Sequence, residues 1–296
     1  MKNYKIHTLD LHFQNHDETI AAFLIESENG LALVESGPHS TFEALKKAVA
    51  NLGFRIEDVH HVFLTHIHFD HAGAAWCIAQ HATIYVHPLG EKHLIDPSKL
   101  YNSAKQIYQD KMDLLWGDMK AIPTEKLHVA AHGEVISVGD LRFTAWHTPG
   151  HASHHIAWQL GSELFAGDVA GVRIDGGVVV PPCPPPDIDV EAWQKSIELM
   201  QNLNLEALYL THFGREENVT ATLNELENRL LNWANWIKPF VESGQNPTDV
   251  TPQYQAMVKA ELATFGIVGK HYEQYETANP SWMSVAGLMR YWFKKG

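Results

Sequence analysis

The chain has 296 residues, 45% hydrophobic and 19% charged, enough to bury a full core as one large domain or two smaller ones. With 22 Lys and Arg against 35 Asp and Glu, its net charge is −13 with His neutral, which argues against adhesion to nucleic acid or anionic membrane but does not exclude an anionic substrate, because a metal centre can invert the local field. Two cysteines, Cys77 and Cys183, imply no disulfide framework, residues 1–7 lack the apolar core of a signal peptide, and no apolar run approaches the roughly 18 residues of a membrane span, so a soluble cytoplasmic protein is expected.

Strand and helix patterns alternate along the chain, with no short repeat. Residues 31–34 read as a strand. Ser40 and Glu43 then have capping-box spacing and open a helix whose apolar positions are Phe42, Leu45, Val49 and Leu52. A strand is expected over 59–64, a helix over 71–80 and another strand over 83–86. Residues 91–122 read as a mostly helical insertion with Tyr101, Tyr108 and Trp116. Strand patterns return at 134–138, 141–146, 155–160 and 163–166. After a Pro-rich loop over 181–186, residues 189–203 read as a helix with Val190, Trp193, Ile197 and Met200 on one face. A last strand is expected over 206–210. The chain then becomes helical, with candidates at 223–236, 253–265 and 280–293, and a boundary falls near residue 214.

The richest stretch chemically is His66-Ile67-His68-Phe69-Asp70-His71, with four metal-competent side chains in six residues. It follows the apolar run Val62-Phe63-Leu64-Thr65, so it is expected at the carboxyl end of a buried strand, where α/β sheets carry their chemistry. Imidazole and carboxylate together suit zinc, manganese or iron. Three further residues follow the same grammar: His151 after Thr148-Pro149-Gly150, Asp168 after Ala166-Gly167, and His212 after Leu210-Thr211. Glycine beside the first two permits close backbone approach. A lone His or Asp at a strand end is more often a turn or cap residue. Together with the cluster, these three point to a metal centre.

The order His-x-His-x-Asp-His, Gly-His, Gly-Asp and strand-end His resembles the metallo-β-lactamase superfamily, and within it the glyoxalase II-like branch, over about residues 1–213. The stretches His93-Leu94-Ile95-Asp96-Pro97, Trp116-Gly117, Pro184-Pro185-Pro186-Asp187 and Asn279-Pro280-Ser281-Trp282-Met283 resemble one bacterial and archaeal subgroup whose substrates are mostly unassigned. The resemblance implies an α/β fold, a four-layer αββα sandwich of two related halves with the metal site at one edge between the sheets. The catalytic domain would cover 1–213, with the insertion at about 91–122, and a helical C-terminal extension would cover 214–296. Two divalent metal ions are implied, zinc first, with iron or manganese as alternatives. His66, His68 and His151 would hold one, Asp70, His71 and His212 the other, and Asp168 would bridge them. Such a pair, roughly 3.5–4 Å apart, brings the pKa of bound water to about 7 and supplies a hydroxide for a polarised carbonyl. Asp70 carries the catalytic assignment: besides binding metal it orients the hydroxide or carries a proton away.

Some residues depart from the family pattern. Glu35 stands where the superfamily usually has Asp, and its expected role is support of the cluster loop. N-acyl-homoserine lactonases carry a tyrosine shortly after the bridging Asp, and Val169-Ala170-Gly171-Val172 contains none. Glyoxalase II enzymes hold glutathione with basic C-terminal residues, which Lys270 and His271 match poorly. His154 and His155 read as neighbours of the ligands, His60 and His61 as packing or surface residues, His87 and His93 as borders of the insertion, and Cys183 as loop filler. Tyr101, Tyr108 and Trp116 fit a cover over the site or the insertion's own small core. Trp282, Met283, Tyr291 and Trp292 fit packing of the last helix or a homodimer contact. An apolar cover favours a substrate with an acyl or aromatic part.

The expectation is a dinuclear metallohydrolase acting on a small ester, thioester or lactone, with a small molecule as its partner and neither nucleic acid nor membrane. The alternative is a persulfide dioxygenase-like oxidoreductase with one iron on His66, His151 and Asp168; the presence of Asp70 and His212 favours two metals. A non-catalytic binding protein on this fold has no use for all seven ligands.

Overall fold

The computed structural model describes residues 3–296. The first half forms one six-stranded sheet. Strands β1 (Tyr4–Asp10), β2 (Ala21–Ser27) and β3 (Leu31–Val34) are antiparallel, and β4 (His61–Phe63), β5 (Thr83–Val86) and β6 (Leu127–Val129) continue from β3 in parallel. The second half repeats the arrangement. Strands β7 (Val135–Val138), β8 (Leu141–His147), β9 (Ile156–Leu160) and β10 (Glu163–Phe165) are antiparallel, β11 (Ala207–Leu210) pairs parallel with β10, and β12 (Gly214–Glu216) closes the edge.

The sheets pack face to face because their strands are apolar on both sides. In β2, Ala21, Phe23 and Ile25 enter the core between the sheets, while Ala22 and Leu24 face the core under the helices. Phe63 of β4 stacks on Tyr85 at 4.3 Å and on Phe143 of the other sheet at 4.2 Å. Trp158 of β9 donates its indole N–H across to the Leu64 carbonyl at 2.9 Å, which ties the second sheet to the strand that leads into the histidine cluster.

Helix α1 (Phe42–Asn51) covers the outer face of the first sheet through Leu45 and Val49. Two short helices follow the cluster strand, α2 (Phe69–Ala72) and α3 (Ala75–Ile78). The insertion carries α4 (Pro88–Ile95), α5 (Ser98–Tyr108) and α6 (Met112–Leu115). Helix α7 (Val190–Asn202) covers the second sheet with Trp193, Ile197 and Met200, and Asp189 accepts from Ala192 N–H as its N-cap. The layers are therefore helix, sheet, sheet, helix, the αββα sandwich expected. Helices α8 (Val219–Glu242), α9 (Pro247–Ala263), α10 (Lys270–Ala278) and α11 (Ser281–Lys295) share one core with the second sheet. Leu226, Trp233, Tyr254, Val285 and Leu288 pack with Val169, Val172 and Trp193 there. Among the described residues no helix is long and apolar enough to cross a membrane.

Two local expectations fail. The single helix over 71–80 is broken into α2 and α3, because the His71 carbonyl accepts from Ser36 N and Oγ at 2.8 and 2.9 Å instead of continuing the helix. The capping box of Ser40 and Glu43 does not form: Ser40 Oγ donates to the Leu115 carbonyl at 2.6 Å, and α1 begins after a 3-10 turn without a side-chain cap.

Candidate metal centre

Each half of the sandwich delivers its polar side chains to the same edge. In the first half β4 ends at Phe63, and α2 starts only three residues after His66, so the chain turns His68, Asp70 and His71 back toward His66. In the second half two glycines make the approach. Gly150 has φ +141°, and a Cβ there would meet the Trp193 Cα at 2.3 Å, so only glycine seats His151 against α7. Gly167 has φ +49°, and a Cβ would meet Thr65 Oγ1 at 2.6 Å and His155 Nε2 at 2.8 Å, so only glycine lets the Asp168 segment press against the cluster strand. His212 follows β11, and its Nδ1 donates to the Thr19 carbonyl at 2.5 Å.

All seven sequence-predicted ligands converge, as two triads and a carboxylate between them. His66, His68 and His151 form one triad, and Asp70, His71 and His212 form another. In the first, His68 Nδ1 lies 2.9 Å from His66 Nε2 and 3.2 Å from His151 Nε2. In the second, Asp70 Oδ2 lies 3.7 Å from His71 Nε2 and 3.5 Å from His212 Nε2. Asp168 faces both: Oδ2 is 3.4 Å from His151 Nε2, and Oδ1 is 3.3 Å from His71 Nε2 and 3.4 Å from His212 Nε2.

The outer nitrogen of four imidazoles is tied down. His66 Nδ1 pairs with Thr65 Oγ1 at 3.0 Å, His71 Nδ1 donates to Glu35 Oε1 at 3.0 Å, and His151 Nδ1 donates to the Pro182 carbonyl at 2.8 Å, while His212 uses Thr19. This turns each Nε2 toward the centre, the arrangement that orients ligating histidines. His71 Nε2, His212 Nε2 and Asp168 Oδ1 are buried without a hydrogen-bond partner. Three such orphans in one place each carry a desolvation cost, and all three face a common point. Zinc bonds of about 2.0–2.1 Å at tetrahedral angles set ligand atoms about 3.3 Å apart, and the spacings, 2.9 and 3.2 Å in the first triad and 3.5 and 3.7 Å in the second, lie on either side of that value. The residues therefore fit metal.

The electrostatics divide the two triads. Burial holds His66 well below the ordinary imidazole value and, with the His151 ring, brings His68 down to about 4. Burial also lowers His71 and His212, but the surrounding carboxylates, Asp168 foremost, outweigh it and raise both. Burial alone would raise the Asp70 carboxyl, but His71 and His212 bring it down to about 2. The first triad is thus a neutral imidazole set, and the second is a set of opposite charges that a cation can replace.

The remaining residues sort as follows. Glu35 is fully buried; it accepts from Thr65 Oγ1 at 2.5 Å and from His71, and so supports the cluster loop. His155 is buried, with Nδ1 bonded to Thr148 Oγ1 at 2.8 Å, and His154 stands beside His66 and His68 with Nε2 4.0 Å from Asp187. His61 pairs with the Tyr85 hydroxyl, His60 is exposed, and His87 caps α4. Cys183 is buried in the core of the second half. Sequence reasoning missed Thr19, Thr65, Thr148 and Pro182 as partners of the histidines. Thr65 and Thr148 carried a signal, being hydroxyls at strand ends beside the ligands. The carbonyls of Thr19 and Pro182 carried none.

Access is through His68 and Asp70, the two members that are not fully buried. Asp70 is flanked by Phe69, from which an aromatic row extends through Tyr101 at 6.3 Å and Trp116 at 6.1 Å to Tyr108 and Trp282. The last of these belongs to α11, so the row joins the insertion to the C-terminal helices.

Residues 17–212, well over half of the chain, match the family described as the metallo-beta-lactamase superfamily. The chain is similar to the metallo-beta-lactamase fold-containing protein ST1585 of Sulfurisphaera tokodaii, 28% identical over 175 residues, which are 57% of this chain and 66% of that protein. It is 29% identical over 168 residues to the uncharacterized protein YobT of Bacillus subtilis, covering 54% of this chain and 65% of that protein. The match thus spans just under two thirds of these relatives' own length. Among solved structures, ST1585 superposes with a TM-score of 0.63 at 25% identity, over 76% of this chain and 86% of that one. A metallo-beta-lactamase family protein from Thermus thermophilus superposes with a TM-score of 0.67 over 100% of this chain and 95% of that one, a likeness of fold alone at 17% identity.

Proposed function

The chain belongs to the metallo-beta-lactamase superfamily, and we propose that it is a hydrolase of the glyoxalase II-like branch that holds two divalent metal ions, zinc first, and cleaves a small ester, thioester or lactone. The observation that supports this reading best is Asp168, whose two oxygens face different triads. One carboxylate between two ligand sets can serve a pair of ions roughly 3.5–4 Å apart. His66, His68 and His151 would hold one ion, and Asp70, His71 and His212 the other. When bound, the ions supply Lewis acidity and an acidified water, so no side-chain nucleophile is needed.

The protein's own residues do the rest. Glu35, Thr65, Thr19 and Pro182 hold the imidazoles in the tautomer that presents Nε2. Asp70, ionised and partly exposed, offers the carboxylate oxygen that does not face His71 and His212 as an acceptor for a proton leaving the attacking water. The other five candidate ligands are buried, so solvent meets the centre at His68 and Asp70. Phe69, Tyr101, Tyr108, Trp116 and Trp282 form an aromatic row that starts beside Asp70, and a substrate that reached it would favour an acyl or aromatic substituent. A glutathione thioester is not favoured, since His271 is engaged with the Ile174 carbonyl at 2.9 Å and Lys270 lies exposed.

Metal analysis of protein purified without added metal tests the proposal, together with turnover of a panel of p-nitrophenyl esters, thioesters and lactones. About two equivalents of metal with hydrolysis of one class is the expected result. A single iron with oxygen consumption on a persulfide overturns it in favour of the oxidoreductase.

A further inference from the structure

The stretch Asn279-Pro280-Ser281-Trp282-Met283 lies outside the triads, at the head of α11, and its helix packs on the Pro-rich loop. Pro182 in that loop gives its carbonyl to His151 Nδ1 at 2.8 Å. The N–H of the same peptide unit belongs to Cys183, and it donates to Ser284 Oγ at 3.4 Å. The peptide is planar, so an anchor on its N–H sets the direction of its C=O. The preceding peptide is held as well, because Asn279 Nδ2 donates to the Pro181 carbonyl at 3.2 Å. Ser284 Oγ donates to Asn279 Oδ1 at 3.0 Å, so the two side chains form one network on the loop.

The helix backbone is close to the same place. A Cβ on Gly287 would meet the Cys183 carbonyl at 2.0 Å, so α11 lies directly on the loop. Arg290 Nε and Lys294 Nζ both donate to the Pro186 carbonyl, at 3.3 and 2.9 Å. His151, Cys183 and Ser284 are each at most 1% exposed, so water does not compete for these bonds. Pro181 and Pro182 have no N–H of their own, which leaves the Pro181 carbonyl and the Cys183 N–H as the backbone handles flanking the carbonyl that His151 uses.

We propose that Asn279 and Ser284 are positioning residues for His151: they fix the Pro182–Cys183 peptide so that its carbonyl keeps the imidazole protonated at Nδ1 with Nε2 aimed into the first triad. This rests on the reading of His151 as a metal ligand. It makes α11, which lies beyond the matched residues 17–212, part of the metal centre.

The test uses the full-length chain and its variants Ser284→Ala and Asn279→Asp, the second keeping an oxygen for Ser284 while replacing the donor to Pro181 with a carboxylate oxygen that repels its carbonyl. Metal-free protein is titrated with zinc against a chromophoric chelator. One zinc equivalent is expected to weaken by about 10–100-fold, as for other outer partners of a ligating histidine, with the other equivalent unchanged. Tyr291→Phe is the control: it removes the bonds to Glu191 from the same helix without touching the loop, and is expected to leave both equivalents as in the parent. In parallel, long-range proton–nitrogen NMR of the metal-free histidine rings is expected to show His151 as the Nδ1–H tautomer in the parent and as a mixture in Ser284→Ala. Unchanged zinc affinity in both variants, or an equal loss in Tyr291→Phe, overturns the proposal. A parent chain that takes up no zinc overturns the metal reading instead, and the tautomer measurement then decides alone whether Ser284 orients His151.

Discussion

Glu35 offers the sharpest measure of how the cluster loop is held. Its side chain is fully buried and sits under the loop. Oε1 accepts from Thr65 Oγ1 at 2.5 Å, His71 Nδ1 at 3.0 Å and Thr211 Oγ1 at 3.3 Å, while Oε2 accepts from Thr65 N at 3.3 Å. Removing the carboxylate strands two donors that cannot rotate away, the Thr65 N–H and the His71 Nδ1–H. At roughly 1–3 kcal/mol for each buried unsatisfied group, Glu35→Ala is expected to cost about 2–6 kcal/mol. That is a large part of the about 5–15 kcal/mol that holds a typical domain together, so Glu35→Gln is the better probe. Glutamine keeps the volume and one acceptor but turns an NH₂ toward one of the donors, and the bond to His71 loses its charge. The expected cost is about 1–3 kcal/mol in urea unfolding of the metal-free chain. Zinc affinity of the His71 triad should fall about 10–100-fold. Unfolding within about 0.5 kcal/mol of the parent, with both zinc equivalents unaltered, would refute the assignment of Glu35 as the anchor of His71.

Three further outcomes are expected. Asp70→Ala should abolish hydrolysis of any ester, thioester or lactone the parent cleaves while circular dichroism stays the same; surviving turnover would remove Asp70 from the chemistry. Gly150→Ala adds strain at φ +141° and drives a methyl into the Trp193 backbone at 2.3 Å, so thermal or urea unfolding should report a loss of about 2–4 kcal/mol; a loss under about 1 kcal/mol would show that α7 is free to move away from His151. Trp282→Ala removes a 40% exposed ring that meets Tyr108 edge-on at 5.9 Å. It should raise KM for long-chain or aryl acyl substrates by up to about tenfold with kcat and stability little changed, and a KM independent of the acyl group would mean that the aromatic row does not touch substrate.

The seven candidate ligands were legible because each is a rare donor type placed directly after an apolar run, and because their order along the chain resembles one family. Their partners were not. Thr19 and Pro182 act through main-chain carbonyls, which every residue possesses, so no letter of the sequence marks them. Glu35 was visible as a departure from Asp, and its longer side chain is what reaches both Thr65 and His71. The broken helix after the cluster was hidden because Ser36, far away in sequence, captures the His71 carbonyl. Strand β2 is apolar on both faces and so lacks the alternation that marks a half-exposed strand, while β6 and β12 are three-residue edges defined by their neighbours. Helix α10 buries Tyr272, Gln274 and Tyr275 amid polar residues, too few apolar positions to set a period.

The C-terminal helices are the part of the chain whose meaning changed most. Read as sequence, Trp282 and its neighbours looked like packing of a last helix or a surface for a second copy. In the structure α11 meets two neighbours of the centre, Tyr108 of the insertion and the Pro-rich loop. Trp282 meets Tyr108 of α5 and so completes the aromatic row beside Asp70, while Ser284, two residues on, holds the peptide that His151 leans against. Residues two apart on a helix point in different directions, which is how one turn reaches both the substrate side and the ligand side. A small shift of α11 therefore moves the wall and the His151 support together. It follows that Trp282→Ala and Ser284→Ala should separate cleanly if both assignments hold, the first changing KM at full zinc content and the second changing zinc affinity. If both variants changed both quantities alike, α11 would be acting as one rigid prop and neither side chain would have its own role.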